Sequence, residues 1–170
     1  YLPIIKANGY GHGLEAIASV LLATAKQAAQ SVNRLEGCAI AALSEAQRLR
    51  ECGWDHPIVL LPGFVDTAEL DECRRLGIDP VIHSPYQLAL MLANPSGITR
   101  VWLKANTGMN RLGLNAEAWH EALTALSAVP NLAIVAMSHL ACADELDSPV
   151  TLKQKSQFDS LLADTGAIRK

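Results

Sequence analysis

The sequence has no dense cluster of lysine or arginine, no CxxC pair, and no apolar run long enough to cross a bilayer. The first absence, with a net charge of −3, excludes a polyanion-binding surface and argues against a nucleic-acid partner. The second excludes the common zinc-ligand spacings, so no metal site is expected. Cys38, Cys52, Cys73 and Cys142 read instead as free, mostly buried thiols in a reducing cytoplasm. The third excludes a membrane span, and Tyr1 to Lys6 lacks the features of a signal peptide. No glycine fingerprint of a dinucleotide fold follows the first apolar run, and neither low complexity nor a linker interrupts the chain. What remains is globular. Of the 170 residues 50% are hydrophobic and 18% charged, enough for one domain with a substantial core.

Short apolar runs alternate with longer amphipathic stretches. The runs are Leu2 to Lys6, Gly37 to Ala41, Pro57 to Leu61, Pro80 to Ile82, Arg100 to Lys104 and Leu132 to Met137. Helices are expected from Leu14 to Gln30, Glu45 to Cys52, Asp66 to Leu76, Ser84 to Ala93, Ala116 to Ala128 and Pro149 to Leu162. Ser44, Asp66 and Ser84 are expected caps, because their side-chain oxygens can accept orphan backbone N–H groups. Pro85 suits a first turn and Gly77 a helix stop. In the last helix Leu152, Phe158, Leu161 and Leu162 can share one buried face. Runs that are apolar on both faces and separated by helices predict an α/β fold with a parallel sheet. Unusual residues gather just after the runs, at 8–13, 106–111 and 138–144, the end of the strands where a β/α barrel carries its chemistry. The expected architecture is a partial (β/α)8 TIM-type barrel with about six βα units.

Three segments can carry chemistry. In Ile4-Ile5-Lys6-Ala7-Asn8-Gly9-Tyr10-Gly11-His12-Gly13, a lysine ends an apolar strand. Its charge is costly there unless paired or removed, and desolvation leaves a nucleophilic amine that an aldehyde cofactor can use. The glycines permit close approach of a ligand, and the Tyr10 hydroxyl suits a phosphate oxygen. Composition alone still favours a lysine emerging into solvent before a turn. The second segment, Trp102 to Gly113, ends a strand with Lys104 and places Arg111 in the following loop, where its guanidinium can bond a phenolate or carboxylate. Two inward-facing cations would repel; a solvated loop is the plainer alternative. In the third, Met137 to Glu145, His139 follows an apolar run, a position more often structural than catalytic.

KANGYGHG, LKANTGMNRLG and SHLACADE, in that order and separation, resemble the motifs of the alanine racemase family, as do the intervening GCAIAALSEAQRLRECG and PIVLLPGF. The resemblance fades from Asp164 onward. It implies a β/α barrel carrying pyridoxal 5'-phosphate as an imine on Lys6, which would also exchange the α-proton on the D-alanine side. It further implies that Tyr10 holds the phosphate and that Arg111 bonds the cofactor's phenolic oxygen and helps receive the substrate carboxylate. Lys104 matches a lysine often carbamylated in the family, an anion that would position Arg111 instead of repelling it. His139 would sit beneath the cofactor ring. The implied activity is cytoplasmic, bacterial interconversion of L- and D-alanine, supplying peptidoglycan or degrading D-alanine, by a homodimer. Asn106 stands where many relatives have aspartate, with a small expected effect.

The family also has a C-terminal β domain, which residues 1–170 do not include, and an opposite-face acid/base that cannot be placed here. The chain is therefore read as a piece of a longer protein, expected to be marginally stable and inactive in isolation. Alternatives of the same cofactor class are a related decarboxylase, a broad-specificity racemase, or a non-catalytic pyridoxal-phosphate carrier.

Overall fold

Five of the six apolar runs pair as parallel strands. In the computed structural model, which describes residues 1–27, 34–163 and 165, these are β1 (Cys38–Ile40), β2 (Ile58–Leu60), β3 (Asp79–Ile82), β4 (Arg100–Lys104) and β5 (Ala133–Met137). They lie in the order β1-β2-β3-β4-β5. Each strand neighbours the one before it, and the described strands show no topological switch point of a doubly wound sheet. The helices are α1 (Lys6–Tyr10), α2 (Leu14–Gln27), α3 (Leu43–Glu51), α4 (Thr67–Leu76), α5 (Pro85–Ala93), α6 (Ala116–Ser127) and α7 (Pro149–Ala163). Residues 28–30, expected to continue α2, lie outside the described residues. No helix among those described is long and apolar enough to cross a membrane.

The first run departs from expectation. Ile4 makes a single parallel bridge to Ala39, flanked by bonds from Ile5 N to Ala39 O and from Ala39 N to Pro3 O, both 2.9 Å. It goes no further because the chain turns at once after Ile5. The six expected units thus become five strands and a bridge.

Contacts divide the chain into two compact units, Tyr1–Pro80 and Val81–Lys170. The division falls inside β3: Asp79 and Pro80 pair with β2, whereas Val81 and Ile82 pair with β4. No composition signal marks it. Trp54, Phe64, Leu14, Ile40, Leu49, Ile58, Leu60 and Leu70 fill the core of the first unit, and Trp119, Ile82, Met91 and Leu103 that of the second.

Asp66 caps α4 by accepting from Glu69 N at 2.9 Å, and Gly77 ends that helix in the left-handed region. Ser84 caps α5, with Pro85 in its first turn. Ser44 is not a cap. The N-cap of α3 is Ala42, and it is Glu45, the third helical residue, whose carboxylate reaches back to Ala41 N at 3.0 Å. Glu69 and Gln87 occupy the same position in α4 and α5 and reach back to Val65 N and His83 N, each at 2.9 Å. These are variants of the capping box. Arg50 closes the other end of α3, donating to the carbonyls of Trp54, His56, Leu76 and Gly77.

Only two of the four cysteines are buried, Cys38 and Cys73; Cys142 is half-buried and Cys52 exposed. Burial pushes the Cys38 and Cys73 thiols up to about 12. The folded chain keeps protons there that an unfolded chain releases from about pH 8.5 upward. Stability from these two groups is therefore full below that pH and declines as pH rises toward 12. Iodoacetamide is expected to modify Cys52 first and Cys142 more slowly, and to spare Cys38 and Cys73 until denaturant is added. Mass spectrometry of timed samples checks this; early labelling of Cys38 contradicts the packing.

Candidate active site

In the first unit the site begins where the Ile4 bridge ends. Lys6 is half-buried and leads into a turn whose dihedrals are left-handed: Ala7 (φ 53°, ψ 50°), Asn8 (φ 55°, ψ 46°) and Gly9 (φ 63°, ψ 40°), followed by Tyr10 (φ 53°). Three of the four are not glycine, and each such residue in this region costs roughly 1 kcal/mol, asparagine least. Local bonds offset part of the cost: Gly9 N to Ile5 O at 2.9 Å, Gly11 N to Ala7 O at 3.0 Å and Gly13 N to Asn8 O at 3.0 Å. A side chain at Gly9 would crowd Ile17 at 3.1 Å, so this residue is fixed by packing against α2 as well as by its φ. Lys6 makes no side-chain hydrogen bond or ion pair among the described residues, and the Tyr10 ring is exposed.

Side chains from α2 and α3 complete the turn. The buried Glu45 accepts from Asn8 N at 3.1 Å through Oε1, while Oε2 serves Ala41 N. Asn8 Oδ1 accepts from Leu14 N at 3.1 Å, starting α2, and from Arg48 Nη2 at 2.9 Å. Arg48 is itself held by both oxygens of Glu15, at 2.7 and 2.8 Å. That bond holds the Glu15 carboxyl below its ordinary range.

In the second unit Lys104, at the C-terminal end of β4, is buried with 6% exposure. The loop that follows is closed at its base: Leu114 N donates to Lys104 O at 2.9 Å and Asn106 N to Leu114 O at 2.8 Å. Within it the Asn106 side chain accepts from Gly108 N and Asn110 N and donates to Asn110 Oδ1. Arg111 is exposed and its side chain has no partner among the described residues. His139, just beyond β5, is also exposed.

A glutamine joins these two loops. Leu152, expected on the buried face of α7, is 63% exposed, and Gln154 is buried in its place at 2%. Gln154 Nε2 donates to His139 O at 3.0 Å and to Thr107 Oγ1 at 3.4 Å, and Oε1 accepts from Ala141 N at 2.9 Å. Thr107 Oγ1 also meets Ser138 Oγ at 2.7 Å. Amphipathic periodicity sought only apolar residues and passed over the glutamine. Replacing Gln154 with leucine is expected to cost about 2–4 kcal/mol, since Ala141 N would be left without its acceptor beside a buried hydroxyl. Thermal unfolding checks this, with faster amide exchange expected at 139–142; an unchanged melt contradicts it.

Lys6 and Tyr10 thus share one turn in the first unit. Lys104, Arg111 and His139 stand at or just after the ends of β4 and β5 in the second. Glu45, Arg48, Thr107, Ser138 and Gln154 were not singled out from the sequence.

The family model described as alanine racemase, N-terminal domain, matches residues 1–169. The chain belongs to this family. The match continues past Asp164, where the motif resemblance had faded. The alanine racemase of Thioalkalivibrio sulfidiphilus is 43% identical over 168 residues, covering 96% of this chain and 44% of that protein. That of Alcanivorax borkumensis is 43% identical over 141 residues, covering 83% of this chain and 37% of that protein. Among solved structures, alanine racemase from Acinetobacter baumannii superposes with a TM-score of 0.86 at 27% identity, covering 99% of this chain and 47% of that one. The biosynthetic alanine racemase from Pseudomonas aeruginosa gives 0.82 at 32% identity, covering 95% and 43%. The chain spans less than half the length of each of these alanine racemases.

Proposed function

We propose that this chain is the front part of an alanine racemase that interconverts L- and D-alanine, with pyridoxal 5'-phosphate held on Lys6. The observation that carries the reading is the Lys6 amine, uncommitted among the described residues, at the entry to a turn held left-handed beside an exposed phenol. The donors on this turn fit the group: a primary amine for an aldehyde and a phenol for a phosphate oxygen.

When bound, pyridoxal phosphate supplies the electron sink that makes an amino-acid α-proton removable. The chain's own residues do the rest. Lys6 Nζ would hold the cofactor and would exchange the α-proton on the D-alanine side. The Tyr10 hydroxyl would hold the phosphate. Arg111 would donate hydrogen bonds to the group and receive the substrate carboxylate, and a carbamate on Lys104 would offset the charge of Arg111. His139 would also help hold the group. Racemisation needs a second acid/base on the opposite face; in this proposal it comes from the rest of the longer polypeptide, across a homodimer interface. The proposed setting is the cytoplasm, with D-alanine for the cell wall as product or as substrate for degradation.

The test is proton NMR of L-alanine in D2O with the full-length protein and pyridoxal phosphate. Loss of the α-proton signal with accumulation of D-alanine is expected. A protein that binds the cofactor and leaves the α-proton in place contradicts the proposal and favours the carrier reading.

A further inference from the structure

We infer that Glu45 is a positioning residue for Lys6 and Tyr10: its carboxylate holds the left-handed turn on which both stand. The inference rests on reading those two residues as the ones that hold the cofactor.

Three successive helices in this chain use the same device at their starts. Glu45, Glu69 and Gln87 each send one side-chain oxygen back to the backbone N–H just before the N-cap. A single oxygen suffices for that task, as the amide of Gln87 demonstrates. The other oxygen of Glu45 makes a long-range bond: Oε1 accepts from Asn8 N, 37 residues away. Glu45 is buried at 8% exposure. The bond lands on the middle of a turn in which Ala7, Asn8 and Tyr10 all occupy a region that L-residues disfavour. Asn8 is gripped from its other side too, since its carboxamide oxygen takes bonds from Leu14 N and from Arg48, which Glu15 locks in place.

Backbone and side chain of Asn8 are therefore anchored to α2 and α3. The conformation that aims Lys6 and Tyr10 is imposed by those anchors against local preference, the expected location of strain at a functional site. Glutamine at position 45 keeps one acceptor oxygen, but its NH2 group then faces a backbone N–H. Asn8→Ala removes the carboxamide, whereas Asn8→Asp retains an oxygen able to accept both bonds.

The test uses the full-length apoprotein, titrated with pyridoxal phosphate and followed by protein fluorescence. Visible circular dichroism of the bound cofactor is the second readout, and far-ultraviolet dichroism checks folding. Glu45→Gln and Asn8→Ala are expected to weaken cofactor binding roughly tenfold to a hundredfold and to change the visible dichroic band. Asn8→Asp is expected to stay near wild type in both. If Glu45→Gln does not fold, the Asn8 pair decides alone. Wild-type affinity and an unchanged band in folded Glu45→Gln or in Asn8→Ala would overturn the inference while leaving the cofactor assignment intact. Failure of the wild-type protein to bind through Lys6 would overturn the assignment, and the inference with it.

Discussion

Lys6→Ala is expected to lower racemisation by the full-length protein at least about a thousandfold, because under the proposed function one side chain both holds the cofactor and exchanges a proton. The fold should survive. Lys6 is half-buried and makes no hydrogen bond or ion pair among the described residues, so its loss orphans no partner. Ile5, which is buried and bonded to Ala39, keeps the entry to the turn in place. A small amine such as methylamine should restore part of the proton exchange, since it replaces the missing base. Initial rates in both alanine directions check this. An active Lys6→Ala protein would mean that the proton leaves by another route.

Gly113→Ala is expected to cause a large loss of stability. Gly113 has φ +129°, and a Cβ there would lie 2.7 Å from Asn106 N, 2.8 Å from Ala105 C and 3.0 Å from Ala105 O. All three are backbone atoms at the closed base of the loop that carries Arg111, so no side chain can swing aside. The bond pair between Lys104, Asn106 and Leu114 must stretch or break. A cost of about 3–5 kcal/mol is expected from strain and overlap together. Gly53→Ala is the control. Gly53 also has a positive φ, +86°, but nothing lies within 4 Å of its Cβ position, so only the roughly 1 kcal/mol conformational cost applies. Denaturant unfolding of both variants checks the difference; equal losses would mean that the close approach at Gly113 is not real. If Gly113→Ala folds, the proposed role of Arg111 predicts that the full-length variant's KM for alanine rises, because Arg111 is displaced.

Features decided within a few residues were legible in the sequence. Asp66 and Ser84 cap their helices and Gly77 stops one because each meets a partner three or four positions away. β4 was legible to the residue, Arg100–Lys104. The misreadings share a different cause. Ser44 has the chemistry of a cap, but the neighbouring glutamate takes the role from within the helix. Leu152 has the right periodicity, but the buried position belongs to a glutamine whose partners are 13, 15 and 47 residues distant. The Leu2 to Lys6 run is extended, yet the left-handed turn leaves it room for only one bridge.

The same contrast holds for the site. Lys6, Tyr10, Lys104, Arg111 and His139 are the residues proposed for the site through motif resemblance, which lists residues by order. Glu45, Arg48 and Gln154 form no motif of their own. Each works by reaching a loop remote in sequence, so only the folded chain reveals what it holds.

Borohydride reduction of the full-length protein with pyridoxal phosphate, followed by peptide mass spectrometry, puts the cofactor assignment to the most direct test. A pyridoxyl group on Lys6 is the predicted result. A label on Lys104 or another lysine instead, or no label at all, would contradict it.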